Sequence, residues 1–117
     1  MKKSNILSSP VKNVKTDYFT GAVKLHEISR ITKPKEHDMY HVIFKKSART
    51  KLHFHTGSQL LIVTKGTGSL VYYKKTSRGT TKFKIAKTKI INLSSDDVVY
   101  IPPKILHAHG SVKKNAI

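Results

Sequence analysis

The sequence predicts one all-β domain, a small sandwich or barrel, on three observations. Short runs of β-branched and aromatic residues recur from Tyr18 to His109, a texture of strands rather than helices. Gly, Pro, Ser and Asp clusters punctuate those runs where hairpins need turns. The chain has 117 residues, of which 38% are hydrophobic, enough for one core and too few for two.

The elements follow in order. Residues 1–16 begin Met-Lys-Lys-Ser-Asn-Ile-Leu-Ser-Ser-Pro, charged like a signal peptide but with only Ile6-Leu7 as an apolar stretch. They are expected to be a flexible segment ahead of a single domain over 17–117. Strands are predicted at 19–25, 40–44, 52–55, 59–64, 69–74, 81–85, 89–93, 98–101 and 105–109, each a short β-branched or aromatic run. The turns between them are Thr56-Gly57-Ser58, Lys65-Gly66, Ser77-Arg78-Gly79 and Ser94-Ser95-Asp96-Asp97. Around Arg78 the arms alternate, so Lys82, Lys84 and Lys87 are expected to face solvent while Phe83 and Ile85 point inward. No apolar run approaches the roughly 18 residues of a membrane span, and the chain is expected to be soluble and cytoplasmic.

Charge raises a different class of partner. The 23 basic and 6 acidic residues give a net charge of +17, the balance of many nucleic-acid binders. Only Arg30, Arg49 and Arg78 are arginines; the rest are lysines, which lack the planar fork suited to phosphates and guanine edges. They are spread from Lys2 to Lys114, densest between Lys74 and Lys89. We read this as a solvated lysine surface rather than a nucleic-acid interface, with steering of an anion or acidic partner the lesser alternative.

The chain has no cysteine, which removes disulfides, thiolate metal sites, iron–sulfur clusters and cysteine nucleophiles together. A metal would have to be held by His, carboxylate or amide. Four of the 7 histidines form two His-x-His pairs, His53 with His55 and His107 with His109. Residues two apart on a strand share a face, so each pair can present its imidazoles to one point. Gln59 follows a tight turn and can return to the same level on the next strand. Imidazole nitrogens and an amide oxygen suit divalent Mn, Fe, Co, Ni or Zn. A single histidine on a strand is more often a hydrogen-bonded core or rim residue; two pairs shift the weight towards ligands. His26, His37 and His41 read as structural or surface residues: His37 and His41 have the spacing of a helical zinc site, but the β-rich run after them opposes a helix.

These residues also carry a family resemblance. His53-Phe-His-Thr-Gly-Ser-Gln-Leu-Leu-Ile-Val-Thr-Lys-Gly-Thr-Gly68 resembles the first cupin motif, with Gln59 where Glu is usual. Asp97-Val-Val-Tyr-Ile-Pro-Pro-Lys-Ile-Leu-His107 resembles the second. The resemblance implies an antiparallel β-barrel of jelly-roll (cupin) type, with a divalent metal at His53, His55, Gln59 and His107. Asp17-Tyr-Phe-Thr-Gly21, Ala48-Arg-Thr50 and His107-Ala-His-Gly110 are further similar to small manganese-dependent hydroxynitrile lyase cupins. That likeness implies manganese, with Fe, Ni or Zn as alternatives, and places Thr50 and His109 beside the metal as catalytic candidates. Ser47 and Asp96 stand at motif glycines, Lys104 replaces the glycine after the prolines, and Ser111 replaces an asparagine. Lys104 is the most awkward, since a positive-φ turn would cost a lysine about 1 kcal/mol or more.

The related proteins enter a closing strand with another active-site histidine about where Ile117 stands. Either the barrel closes differently or a partner chain supplies that edge, and at least a homodimer is expected. Three neutral imidazoles and an amide would leave a divalent ion's charge uncompensated, favouring Lewis-acid chemistry on a small oxygen-bearing substrate. The two-His-one-carboxylate pattern of non-haem iron oxygenases is absent as such. The residues leave open a metal-dependent lyase or a non-catalytic cupin that senses or binds a small ligand, with a metal-dependent dioxygenase the lesser alternative.

Overall fold

A computed structural model describes residues 2–3, 5–12, 18–33, 38–75, 85–112 and 117. The strands are β1 (Val11–Lys12), β2 (Phe19–Thr20), β3 (Val23–Glu27), β4 (Tyr40–Phe44), β5 (Arg49–Thr50), β6 (Gln59–Ile62), β7 (Thr67–Lys75), β8 (Ile85–Ser94), β9 (Val98–Ile101) and β10 (Leu106–Ser111). One short helix, α1 (Ser29–Thr32), lies between β3 and β4. The class is all-β, and every strand pairing is antiparallel. Three sheets carry it, ordered β1-β3-β4, β2-β5-β10-β7-β8 and β6-β9. The sheets do not join into a closed barrel among the described residues. The Phe44 N–H donates to Ile117 O (2.8 Å) and the Ile117 N–H to Phe44 O (3.1 Å), so residue 117 lies along β4.

Most expected strands are present with altered ends. The 19–25 run is two strands, because Gly21 turns with φ 79 where the chain passes close to Ala48. The expected 89–93 strand begins at Ile85, and Ile85 is exposed rather than inward. Lys87 is exposed as expected. The Ser77-Arg78-Gly79 turn, with Lys82, Phe83 and Lys84, lies outside the described residues, as does His37. His41 sits on β4, so it is not part of a helical zinc motif. Helix α1 was not expected; it is a single turn ended by Lys33 at φ 45. Val11–Lys12, within the 1–16 segment, pairs with β3.

Residues 52–55 depart most from expectation. They form no strand, only a bridge between His53 and His107. Arg49 stands opposite Gly110 on β10 and His53 opposite His107: four residue steps on one side against three on the other. This extra residue is a bulge-like irregularity. Without it Leu52 would face His107. With it, Thr50 and His53 sit opposite the two histidines of β10 although they are three apart in sequence.

Val63, Leu70, Leu93 and Ile101 form the buried core, with Leu61, Tyr72, Ile91, Val99, Ile105 and Ile117 packed against it. The alternation of β6 and β9 puts Gln59 and Leu61 on the inner face with Val99 and Ile101. Gly68 on β7 faces Ser111 on β10. A Cβ there would overlap the Gly110 carbonyl and lie 2.8 Å from Ile117 Cδ1. Gly68→Ala is therefore expected to destabilise by about 1–3 kcal/mol, read from chemical denaturation.

The three non-glycine residues at motif glycine positions all keep the glycine conformation: Ser47 has φ 63, Asp96 φ 74 and Lys104 φ 65. The turns do not rearrange to spare the side chains. The Lys104 N–H still donates to His55 O at 2.7 Å, which holds the second motif against the first. Left-handed backbone costs an L-residue about 1–2 kcal/mol, partly offset because glycine has more unfolded-state entropy to lose. Lys104→Gly should thus stabilise by about 0.5–1 kcal/mol, seen as a higher melting temperature.

Candidate metal centre

β10 is the central strand of the five-stranded sheet, between β5 and β7. His107 and His109 both lie on it, opposite Tyr72 and Leu70 of β7, so their rings back onto core residues. His107 is fully buried at 0% exposure and His109 is buried as well. The bridge to His107 is two-way, His53 N–H to His107 O at 3.0 Å and His107 N–H to His53 O at 2.9 Å. It sets the two backbones in register and the two rings 4.3 Å apart. His55 completes the group, 4.9 Å from the His53 ring and 5.5 Å from that of His107.

One ring nitrogen from each of His53, His55 and His107 falls within 4.8 Å of the others, a group that could hold a metal ion. Two of the rings have their tautomers fixed. His53 Nδ1 lies 2.7 Å from Lys51 O, and His107 Nδ1 lies 2.8 Å from Ile105 O. A carbonyl only accepts, so each Nδ1 carries the proton and each Nε2 presents a lone pair. This is the arrangement of imidazoles that bind metals through Nε2.

Gln59 provides the test of fit. Its Oε1 stands 3.3 Å from His107 Nε2. With Nε2 unprotonated, two lone pairs face one another, which a cation between them would turn from repulsion into shared coordination. Three imidazoles and an amide oxygen of borderline hardness suit a divalent transition ion. The residues present fit such an ion.

The electrostatics favour the neutral form of His53, His107 and His109. Burial lowers the His53 pKa, against the raising effect of the Lys51 carbonyl, and His55 lowers it further. Burial likewise lowers His107, opposed by the Ile105 carbonyl and reinforced by His53 and His55. His109 is pushed down to about 3 by burial first, then by His53, His107, Arg49 and His55. Its ring stacks 6.0 Å from that of His107 and meets Phe44 edge-on at 5.7 Å. Thr50 is buried beside it, its Oγ1 accepting the His109 backbone N–H at 3.0 Å.

Of the six residues singled out from sequence, His53, His55 and His107 group together, Gln59 lies against His107, the His109 ring stacks on that of His107, and Thr50 bonds the His109 backbone. Of the other histidines, His26 is buried with Nδ1 at 2.9 Å from Ser9 O, and His41 Nε2 lies 3.3 Å from Thr64 Oγ1. The sequence reading missed the Lys51 and Ile105 carbonyls that select the tautomers, and Phe44 against His109. No residue type marks a backbone carbonyl that will accept from a ring N–H. The one available signal was position, since for both His53 and His107 the carbonyl is two residues before the histidine.

No family model matches the chain, and no curated protein does. A solved structure does: a cupin-like protein from Thermotoga maritima, 30% identical, with a TM-score of 0.66, covering 88% of this chain and 68% of that one. The chain belongs to the cupin superfamily. In this cupin the two sequence motifs meet at the His53–His107 bridge, and among the described residues no helix is long and apolar enough to cross a membrane.

The lowered pKa values have a consequence for stability. Above the ordinary imidazole pKa of 6.5 these histidines are neutral whether the chain is folded or not. Between 6.5 and about 3 the unfolded chain binds a proton at residue 109 that the folded chain refuses, so unfolding free energy falls as pH drops through that window. Melting temperature should be flat above about pH 7 and decline below 6.5. His109→Gln, which cannot titrate, should show a shallower decline.

Proposed function

We propose that this cupin is a divalent-metal protein with His53, His55, His107 and Gln59 as its ligands, acting on a small oxygen-bearing molecule. The observation that carries the reading is the pair of carbonyl-fixed Nδ1 protons, which turn the His53 and His107 lone pairs towards one another beside Gln59. A bound divalent ion would supply Lewis acidity, polarising a substrate oxygen. The chain's own residues would do the rest. Thr50 Oγ1 is anchored by the His109 N–H, leaving its hydroxyl proton to donate to a substrate oxygen. His109 and Phe44 form a wall that excludes water on that side.

The specific reaction we propose is C–C cleavage of a hydroxynitrile type, with manganese the first ion to supply and iron, nickel and zinc the alternatives. Support comes from the motif resemblance and from His109 adjoining the imidazoles with Thr50 bonded to its backbone N–H. With its pKa near 3, His109 acts as a neutral hydrogen-bonding partner at physiological pH rather than as a charged proton carrier. The same observation favours a second reading, a cupin that binds a small ligand without turning it over, because His109, which bonds Thr50 through its backbone N–H, has lost its ordinary basicity.

The test is elemental analysis of tag-free protein beside a His53→Ala/His107→Ala variant purified identically. Near-stoichiometric metal in the wild type, lost in the variant, is the expected result. Equal metal in both after reconstitution would remove the metal reading. With metal established, turnover of hydroxynitriles by wild type and its loss in His109→Ala with metal retained would support the lyase. Saturable binding without product would select the binding module.

A further inference from the structure

The imidazole group is one end of a row that continues across the sheet. His53 is bridged to His107, His107 stands opposite Tyr72 on β7, and Tyr72 stands opposite Lys89 on β8. Residues directly opposite on paired strands share a face, so these side chains line up on the side of the sheet that carries the core. The next row along runs from His109 through Leu70 to Ile91, and the one after from Ser111 through Gly68 to Leu93. The inward face of β8 therefore reads Leu93, Ile91, Lys89, passing from buried through half-buried to exposed. It ends on a charge beside the imidazole row.

A bulge singles out this lysine. The register passes from Tyr72 with Lys89 to Tyr73 with Lys87, which leaves Thr88 unpaired. In a regular ladder Lys87 would follow Lys89 on the inward face; the extra residue places it opposite Tyr73 on the outward one. The polar ends of the row have no partner in the protein. Lys89 makes no ion pair among the described residues, and residues 39–95 hold no Asp or Glu. The Tyr72 ring packs against the core, while its hydroxyl makes no hydrogen bond among the described residues. Opposed Cβ atoms on paired strands are about 5 Å apart, so the Cβ atoms of Lys89 and His107 are separated by about 10 Å with Tyr72 between them. The flexible stem of the lysine shortens that gap to the span of a small molecule.

We propose that Lys89 and Tyr72 form the anion-binding end of the candidate site, so that the small molecule it takes is a carboxylate with a hydroxyl or keto oxygen on the neighbouring carbon. The Lys89 ammonium holds the carboxylate, the Tyr72 hydroxyl donates to it, and the second oxygen lies at the imidazole group. The net charge of +17 draws such an anion towards the protein. The proposal rests on the imidazole group being the place where an oxygen-bearing molecule binds, and it narrows that molecule to an anion, which a hydroxynitrile is not.

Calorimetric titration of the full, tag-free chain with glycolate and with glycolamide, its neutral isostere, tests this, with the metal content of each protein measured alongside. Glycolate should bind the wild type about 10-fold or more tightly than glycolamide, an advantage that shrinks as salt rises from about 50 mM to about 500 mM. Lys89→Met should erase the advantage while leaving glycolamide binding, metal content and circular dichroism unchanged, and Lys89→Arg should keep most of it. Tyr72→Phe should weaken glycolate by about 3-fold or more. Lys87→Met, which removes the same charge from the outward face, should leave the advantage intact. A wild type that does not bind glycolate, or binds both ligands equally, would overturn the proposal. So would an advantage that survives Lys89→Met, or one that Lys87→Met removes as fully. A wild type that holds no metal yet binds glycolate through Lys89 would remove the metal reading and leave the anion end standing; bound metal without a Lys89-dependent advantage would do the reverse.

Discussion

The candidate centre depends on one irregularity of register. Between Arg49 and His53 the chain spends one residue more than β10 does between Gly110 and His107. A regular ladder would turn Leu52 to His107 and place His53 on the other face, since a one-residue slip exchanges faces. The bulge lets Thr50 remain beside His109, within reach of its backbone N–H, while His53 meets His107. The two-way hydrogen bond at the bridge then locks that offset. Two sequence motifs separated by some fifty positions are joined there by backbone bonds before any side chain acts.

From that bridge the chemistry of the rings follows. The backbone course that pairs residues 53 and 107 also brings the Lys51 and Ile105 carbonyls onto the Nδ1 atoms. Each carbonyl favours a protonated Nδ1 and opposes the lowering caused by burial; burial is the larger effect, so the rings stay neutral with Nε2 unprotonated. His109 has no such carbonyl among the described residues, and its pKa falls furthest. Position on the strand thus separates two environments that the sequence shows as one repeated His-x-His pattern: His107 presents an Nε2 lone pair to the imidazole group, while His109 is a buried neutral ring beside it.

What was legible in the sequence was whatever depends on residue type and short spacing. β4 and β9 were readable to the residue because β-branched and aromatic runs end there at turn residues. The histidines and Gln59 were readable because few side chains can ligate a metal. The bulge at 51–52 was not, because a register offset is decided by the partner strand and Lys51-Leu52 carry no bulge signature. Nor was the break at Gly21 within the 19–25 run, where close passage to Ala48 is a tertiary fact. Helix α1 was hidden for a different reason: one turn is too short to show an apolar period. Ser47, Asp96 and Lys104 invert the lesson. Their residue types argue against positive φ, yet hydrogen bonds such as Lys104 N–H to His55 O hold the turns in place, so local preference yields to the packing of the two motifs.

The charge of the protein and the neutrality of its centre bear on each other. A net charge of +17 disfavours the approach of a divalent cation and favours that of an anion. Capture of a metal by the proposed imidazole and amide ligands would therefore rest on direct coordination, with no carboxylate in the imidazole group among the described residues to offset the ion's charge. Once an ion is bound, the same absence leaves its charge to be met by something from solution. The long-range field and the bare ion then act in one direction, concentrating anionic or strongly polar oxygen ligands at the site. A carboxylate at position 59 would oppose this by neutralising half the ion's charge. The glutamine there keeps the shape of the usual ligand while withholding its charge, and that ties the Lewis-acid reading to a single residue.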